Sequence, residues 1–155
     1  MKVFHELAFE GYVQADGAAA QVTGHSRLMD LMGAVDVIHI SGYSAQVSGT
    51  SPLLSILVLS SNDFSQWTTL SPAVINAVSL STSGETLFQG VNTDPALSRL
   101  GYCNFLILLQ GTGARAFLRI WVTGRDRSRR SGGIRHGAMA QPNAQMLVNP
   151  YGRQG

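Results

Sequence analysis

The chain has 155 residues, of which 45% are apolar and 13% charged, with a formal net charge of +2. That length fits one domain with a sizeable core, and the charge content is about half of the roughly 25% usual for soluble domains. A single cysteine, Cys103, excludes an internal disulfide framework and a cysteine-based zinc site.

The N-terminal stretch MKVFHELAFE has no signal-peptide apolar core, and no run reaches the ~20 apolar residues of a membrane helix. A protein made in a cytoplasm, without a membrane partner, is expected. Residues 2–10 alternate as a strand, with Val3, His5, Leu7 and Phe9 on one face. Asp16-Gly17 is a hairpin signal. Residues 18–32 are mixed: Val22-Thr23 reads as strand, while Ser26 is placed to cap a short helix carrying Leu28, Met29, Leu31 and Met32.

Residues 34–40 form a clearer strand, with Ile38 and Ile40 opposite Val37 and His39. Gly42-Tyr43 predicts a kink or bulge, and Ser51-Pro52 a reversal. The run from Leu53 to Leu59 is apolar on both faces, Leu54, Ile56 and Val58 against Leu53, Leu57 and Leu59. Such a strand lies deep in a packed sheet or has its second face covered by a partner. Asn62-Asp63 turns the chain through side-chain to backbone hydrogen bonds, and Trp67 returns to the core or to a surface.

Residues 73–80 and 86–89 are further strands, separated by Ser83-Gly84, and residues 92–100 are a loop. Residues 102–110 and 114–123 read as a closing hairpin joined by Gly111-Thr112-Gly113. In its second arm Phe117, Arg119 and Trp121 share one face, and Ala116, Leu118, Ile120 and Val122 the other. About eight short strands with Gly, Pro, Asn and Asp turns predict an all-β protein, an antiparallel β-sandwich of jelly-roll type.

The character changes at Gly124. Residues 124–155 hold six arginines against one acid, Asp126, whereas residues 1–123 hold five basic residues against eight acids. The expected organisation is a sandwich over 1–123 and a basic, extended C-terminal arm over 124–155. The candidate partner-binding residues of the arm are Arg125, Arg127, Arg129, Arg130, Arg135, Met146, Leu147 and Tyr151.

The order Ser41-Gly42-Tyr43, then Ser48-Gly49-Thr50-Ser51-Pro52, an apolar strand, and Ser61-Asn62-Asp63 followed by Trp67 resembles β-sandwich structural proteins of tailed-phage virions. The likeness covers residues 39–70, with a looser match over 101–123, and Phe64 stands where that pattern has a turn glycine. The resemblance implies a head decoration or cement protein that binds the major capsid protein or other virion proteins. It also implies a virion location and a homo-oligomer, with a trimer expected by analogy.

The chemistry-bearing residues give no catalytic pattern. His5, His25, His39 and His136 form no metal-spaced pair, no Gly-x-Ser-x-Gly elbow occurs, and the acids are scattered. Cys103 sits in an apolar run and reads as a buried, inert thiol. A non-enzymatic protein without metal or cofactor is expected. The arginine run lacks interleaved aromatics, so nucleic acid is not the expected partner. The alternative function is a carbohydrate-binding module whose sugar platform uses Trp67 and Trp121 with Tyr43 and Tyr102, although core or interface packing is the simpler role for both tryptophans.

Overall fold

The computed structural model describes residues 2–30, 35–99 and 101–125. Among the described residues there are seven strands: β1 (Lys2–Ala15), β2 (Gln21–His25), β3 (Met29–Asp30), β4 (Val37–Ser61), β5 (Thr68–Ser79), β6 (Thr86–Asn92) and β7 (Tyr102–Arg125). A short 3-10 turn, Pro95–Arg99, follows β6. It is opened by Asn92 and Asp94, whose side chains accept hydrogen bonds from the N–H groups of Asp94 and Ala96.

β4 and β7 organise everything else. They run antiparallel from Val37↔Arg125 to Ser61↔Tyr102. At about 3.3 Å per residue a straight strand of this length would reach ~80 Å, more than twice the width of a domain this size. Both strands therefore bend. Register shifts between β4 and β7 fall between Ala45 and Leu53, and Gln46, Gly49, Ser51, Gly111 and Gly113 have positive φ. Two of the glycines are sterically required. A Cβ on Gly49 would lie 2.5 Å from the Cα of Ala114, and one on Gly111 would lie 2.8 Å from the carbonyl oxygen of Thr50. The bend works because each strand brings its backbone against the other's at the corner.

The corner divides the strands into two layers. Sheet I pairs β1 and residues 37–45 of β4 with the second half of β7, and adds β6 on the far side of β4. Sheet II pairs β2, β3 and residues 53–61 of β4 with the first half of β7, and adds β5. The inner faces carry Ile38, Ile40, Leu118, Ile120 and Val122 from sheet I, and Leu54, Ile56, Val58, Phe105, Ile107 and Leu109 from sheet II, all in one buried cluster. Branched residues at every second position suit this pleated, half-buried geometry. The protein is an all-β antiparallel sandwich of jelly-roll type.

Several expectations are corrected. Residues 102–123 do not form a hairpin: β7 is one bent strand whose two halves share β4 as partner. Ser51-Pro52 likewise turns β4 between layers without reversing it. Asp16-Gly17 joins β1 to β2, but both pair with β7 and lie in different layers. Pairing through Gly42 and Tyr43 is continuous, so no bulge occurs there. Ser26 caps no helix: its hydroxyl accepts the N–H of Phe105 at 2.8 Å and donates to the carbonyl of Arg27 at 2.9 Å. In β1 a register shift between Leu7 and Phe9 inverts the alternation, so that Ala8 is buried and, beyond it, Val13 and Ala15. β7 also runs to Arg125, two residues past the expected end of the last strand at Thr123.

Candidate functional site

The outer faces of the two sheets differ in chemistry. On sheet I the pairing sets up cross-strand rows. Glu10, Arg119, Tyr43 and Leu87 lie in one row, and Leu7, Trp121, Ser41 and Gln89 in the next. Tyr12 and Phe117 pair in a third row, their rings 5.3 Å apart and edge to face. Arg115 lies over the Tyr12 ring at 4.0 Å and Arg119 over the Trp121 ring at 4.8 Å. These contacts hold two cations over aromatic rings on an open sheet face. Arg119 is also 3.1 Å from Glu10, both side chains well exposed, so this pair contributes little to stability. Tyr12 donates a hydrogen bond to Gln46 and thereby ties the edge of the face to the corner. Beside this face a depression of about 360 Å³ is lined by Ser41, Gly42, Leu87, Phe88 and Gln89. Leu87 is 79% exposed at its rim.

On sheet II the outward residues of β4 are Leu53, Ser55, Leu57 and Leu59, and those of the first half of β7 are Asn104, Leu106, Leu108 and Gln110. Leu57 pairs with Leu106, and Ser55 with Leu108, which in turn faces Val22. The leucines are half-buried, and Val22 is 57% exposed. No Asp, Glu, Lys or Arg occurs in β2, β5, residues 53–61 of β4 or residues 102–110 of β7.

One end of sheet II closes in a locked turn. The Ser61 hydroxyl accepts the N–H of Phe64 at 3.0 Å, and the Asp63 carboxylate accepts those of Ser65 and Gln66 at 2.9 Å each. These backbone donors, that of Gln66 first, hold the Asp63 carboxyl down at about 2 from its ordinary 3.8. Trp67 donates from Nε1 to the Phe64 carbonyl at 3.2 Å.

The four residues of the expected sugar platform are therefore split. Trp121 and Tyr43 lie on the outer face of sheet I, while Trp67 and Tyr102 belong to the turn end of sheet II. Of the expected arm residues, Arg125 is in β7, opposite Lys2 and Val37. Arg127, Arg129, Arg130, Arg135, Met146, Leu147 and Tyr151 lie outside the described residues. Cys103 is fully buried, and burial, with the Glu6 carboxylate adding to it, pushes its thiol up to about 12 from 9.0. Among the described residues, no three His, Cys, Asp or Glu side chains gather as a metal site.

Arg115 and Arg119 were missed as site residues, and of the sheet II face only the outward leucines of β4 were read as covered by a partner, not those of β7. Both follow from which half of a bent strand lies in which layer, and that depends on pairings up to 123 residues apart in sequence, Lys2 with Arg125 the farthest.

No protein-family model matches the chain, and no curated protein matches it in sequence. Among solved structures it is similar to the VP2 subviral particle of infectious bursal disease virus, with TM-score 0.52 and 14% identity over 77% of this chain. The structure of the Gx strain of that virus gives TM-score 0.50, also at 14% identity over 77% of this chain. The chain spans 31% of the length of both of these chains. A CBM22-1 xylan-binding domain from Paenibacillus barcinonensis aligns at TM-score 0.45 and 15% identity, over 81% of this chain and 96% of its own length. The likeness to VP2 is one of fold.

Proposed function

We propose that this is a non-enzymatic virion structural protein, a decoration or cement protein that binds the assembled capsid shell through the outer face of sheet I. The observation that carries this reading is the pair of arginines placed over aromatic rings, Arg115 over Tyr12 and Arg119 over Trp121. Arginine and aromatic residues are the types enriched at the centres of protein interfaces. The neighbouring depression offers a seat for one partner side chain. The sandwich of a viral shell protein and the phage-like turn pattern around residues 39–70 agree with this role without fixing the place in the virion.

The test is cosedimentation with assembled capsid shells of tailed phages. Wild type should pellet with shells, less so at high salt. Trp121→Ala and Arg119→Ala should each weaken binding tenfold or more while leaving the melting temperature nearly unchanged. Equal pelleting of wild type and both variants would rule this face out.

A second reading is carbohydrate binding on the same face, favoured by Trp121 on an open sheet beside Tyr43. Saturable quenching of tryptophan fluorescence by a soluble polysaccharide, lost in Trp121→Ala, with no shell binding, would select it.

A further inference from the structure

We infer that the outer face of sheet II is buried against the same face of a second copy of this chain, as a two-fold, sheet-on-sheet pair. Antiparallel sheets that face water alternate apolar-in with polar-out. Here the outward positions Leu53, Leu57, Leu59, Leu106 and Leu108 break that alternation across two adjacent strands. They form a continuous apolar centre. Its surroundings are polar but uncharged, Gln110 and Asn104 along β7 and Thr69 and Ser79 on β5. The Asn104 side-chain oxygen is buried and has no hydrogen-bond partner. An apolar centre with a polar rim is the anatomy of a protein interface, and interface centres are depleted in charge.

The uncharged centre selects the occupant. Charged partners are recognised by complementary charges, and β2, β5 and these halves of β4 and β7 offer none; the acid of β3, Asp30, lies at the end of the sheet opposite Tyr102. A face whose centre is uncharged meets its own copy with little like-charge repulsion, and one surface used by both subunits gives a closed pair. The extent also fits. β4, β5 and β7 contribute about nine residues each and β2 five, which with strands about 4.8 Å apart cover roughly 500 Å² in projection. The accessible surface is larger than the projection, which brings it toward the ~800 Å² per partner of a standard interface. Two sheets packed this way sit about 10 Å apart, as in the sandwich itself.

This surface is separate from the shell-binding face, and it is tested without a shell. Sedimentation velocity of the full chain, from low micromolar to millimolar concentration, should show a monomer–dimer equilibrium. Leu57→Lys and Leu106→Lys each place a charge at the centre of the face and should give monomers at every concentration, with wild-type circular dichroism. Val22→Lys, at an exposed edge position where folding is not at risk, should weaken the dimer at least tenfold. Leu87→Lys, on sheet I, should leave it intact. A wild type that stays monomeric at millimolar concentration, a trimer, or a dimer indifferent to Val22→Lys and either leucine variant would each overturn the inference.

Discussion

The ring of Phe64 lies against that of Tyr102, centroids 4.4 Å apart and planes tilted by 36°. Phe64 has φ 63, in the left-handed region that favours glycine. Its backbone is held there by the Ser61 hydroxyl and by the Asp63 carboxylate, which ties down the next two residues. The aromatic contact and the polar lock together replace the turn glycine.

The lock should titrate. The Asp63 carboxyl is lowered to about 2 from 3.8. A depressed carboxyl contributes stability that is present above its unfolded value and lost as pH falls through the folded one. The turn should therefore weaken between about pH 4 and pH 2. Carboxyl-carbon NMR should place the Asp63 midpoint near 2, and Asp63→Asn should remove that part of the acid dependence of the melting temperature. A midpoint near 4 would contradict the hydrogen-bonded turn.

Ile56 should be the most sensitive position of the core. It is fully buried on β4, paired with Ile107 on one side and Ile75 on the other. Ile56→Ala should cost ~2–5 kcal/mol through lost burial and a residual cavity. Ile56→Asp should fail to fold, because an unpaired carboxylate there costs several kcal/mol or must neutralise. Denaturant unfolding measures the first, and soluble yield with circular dichroism the second.

The corner makes its own prediction. Gly49→Ala forces a Cβ to within 2.5 Å of the Ala114 Cα at φ 104 and should cost ~1–3 kcal/mol or more. Gly84→Ala meets nothing within 4 Å and should be neutral within about 0.5 kcal/mol. Thermal melts of the two variants decide it. Equal melting temperatures would mean that the strands do not cross as closely as described.

The corner also explains what the sequence could and could not reveal. The apolar runs at 53–59, 102–110 and 114–123 are legible because alternation is a local property. So is the inward face of the last run, Ala116, Leu118, Ile120 and Val122, which the structure buries. Whether Gly111-Thr112-Gly113 reverses a strand or bends it is not local. The same glycines serve either geometry, and the partner that decides, β4, lies about half a chain away. The Leu7 bulge has no local marker either, and it inverted the faces of β1. The opposite chemistry of the two outer faces was hidden for the same reason. Arg115 and Arg119 share one strand with Leu106 and Leu108, and only the bend separates them.

Cys103 should be silent until the protein unfolds. Its raised thiol pKa leaves almost no thiolate at neutral pH, and full burial denies access. Labelling by a thiol reagent should proceed at the global unfolding rate. The unfolded thiol ionises near 9.0 and the folded one near 12, so stability should be full below pH 9 and fall between those values. Cys103→Ala should flatten that alkaline decline. Rapid labelling of native protein would show that this strand opens on its own.

Truncation after Arg125 should leave the sandwich intact. Among the described residues the buried cluster runs from Ala8 to Val122, and β7 pairs along its full length with β4. The shortened protein should melt within a few degrees of full length. Its shell binding should change instead. Residues 126–155 contain five further arginines against one acid, a charge density the sandwich strands lack. If those arginines pair with acidic groups on a shell, full-length protein should bind more tightly at low salt and lose that advantage at high salt, where charges beyond ~8–10 Å are screened. Truncated protein should show the shallower salt dependence of the sheet I face alone. Cosedimentation of both proteins at two salt concentrations measures the difference. Coincident curves would leave Arg115, Arg119 and Trp121 as the whole of the contact.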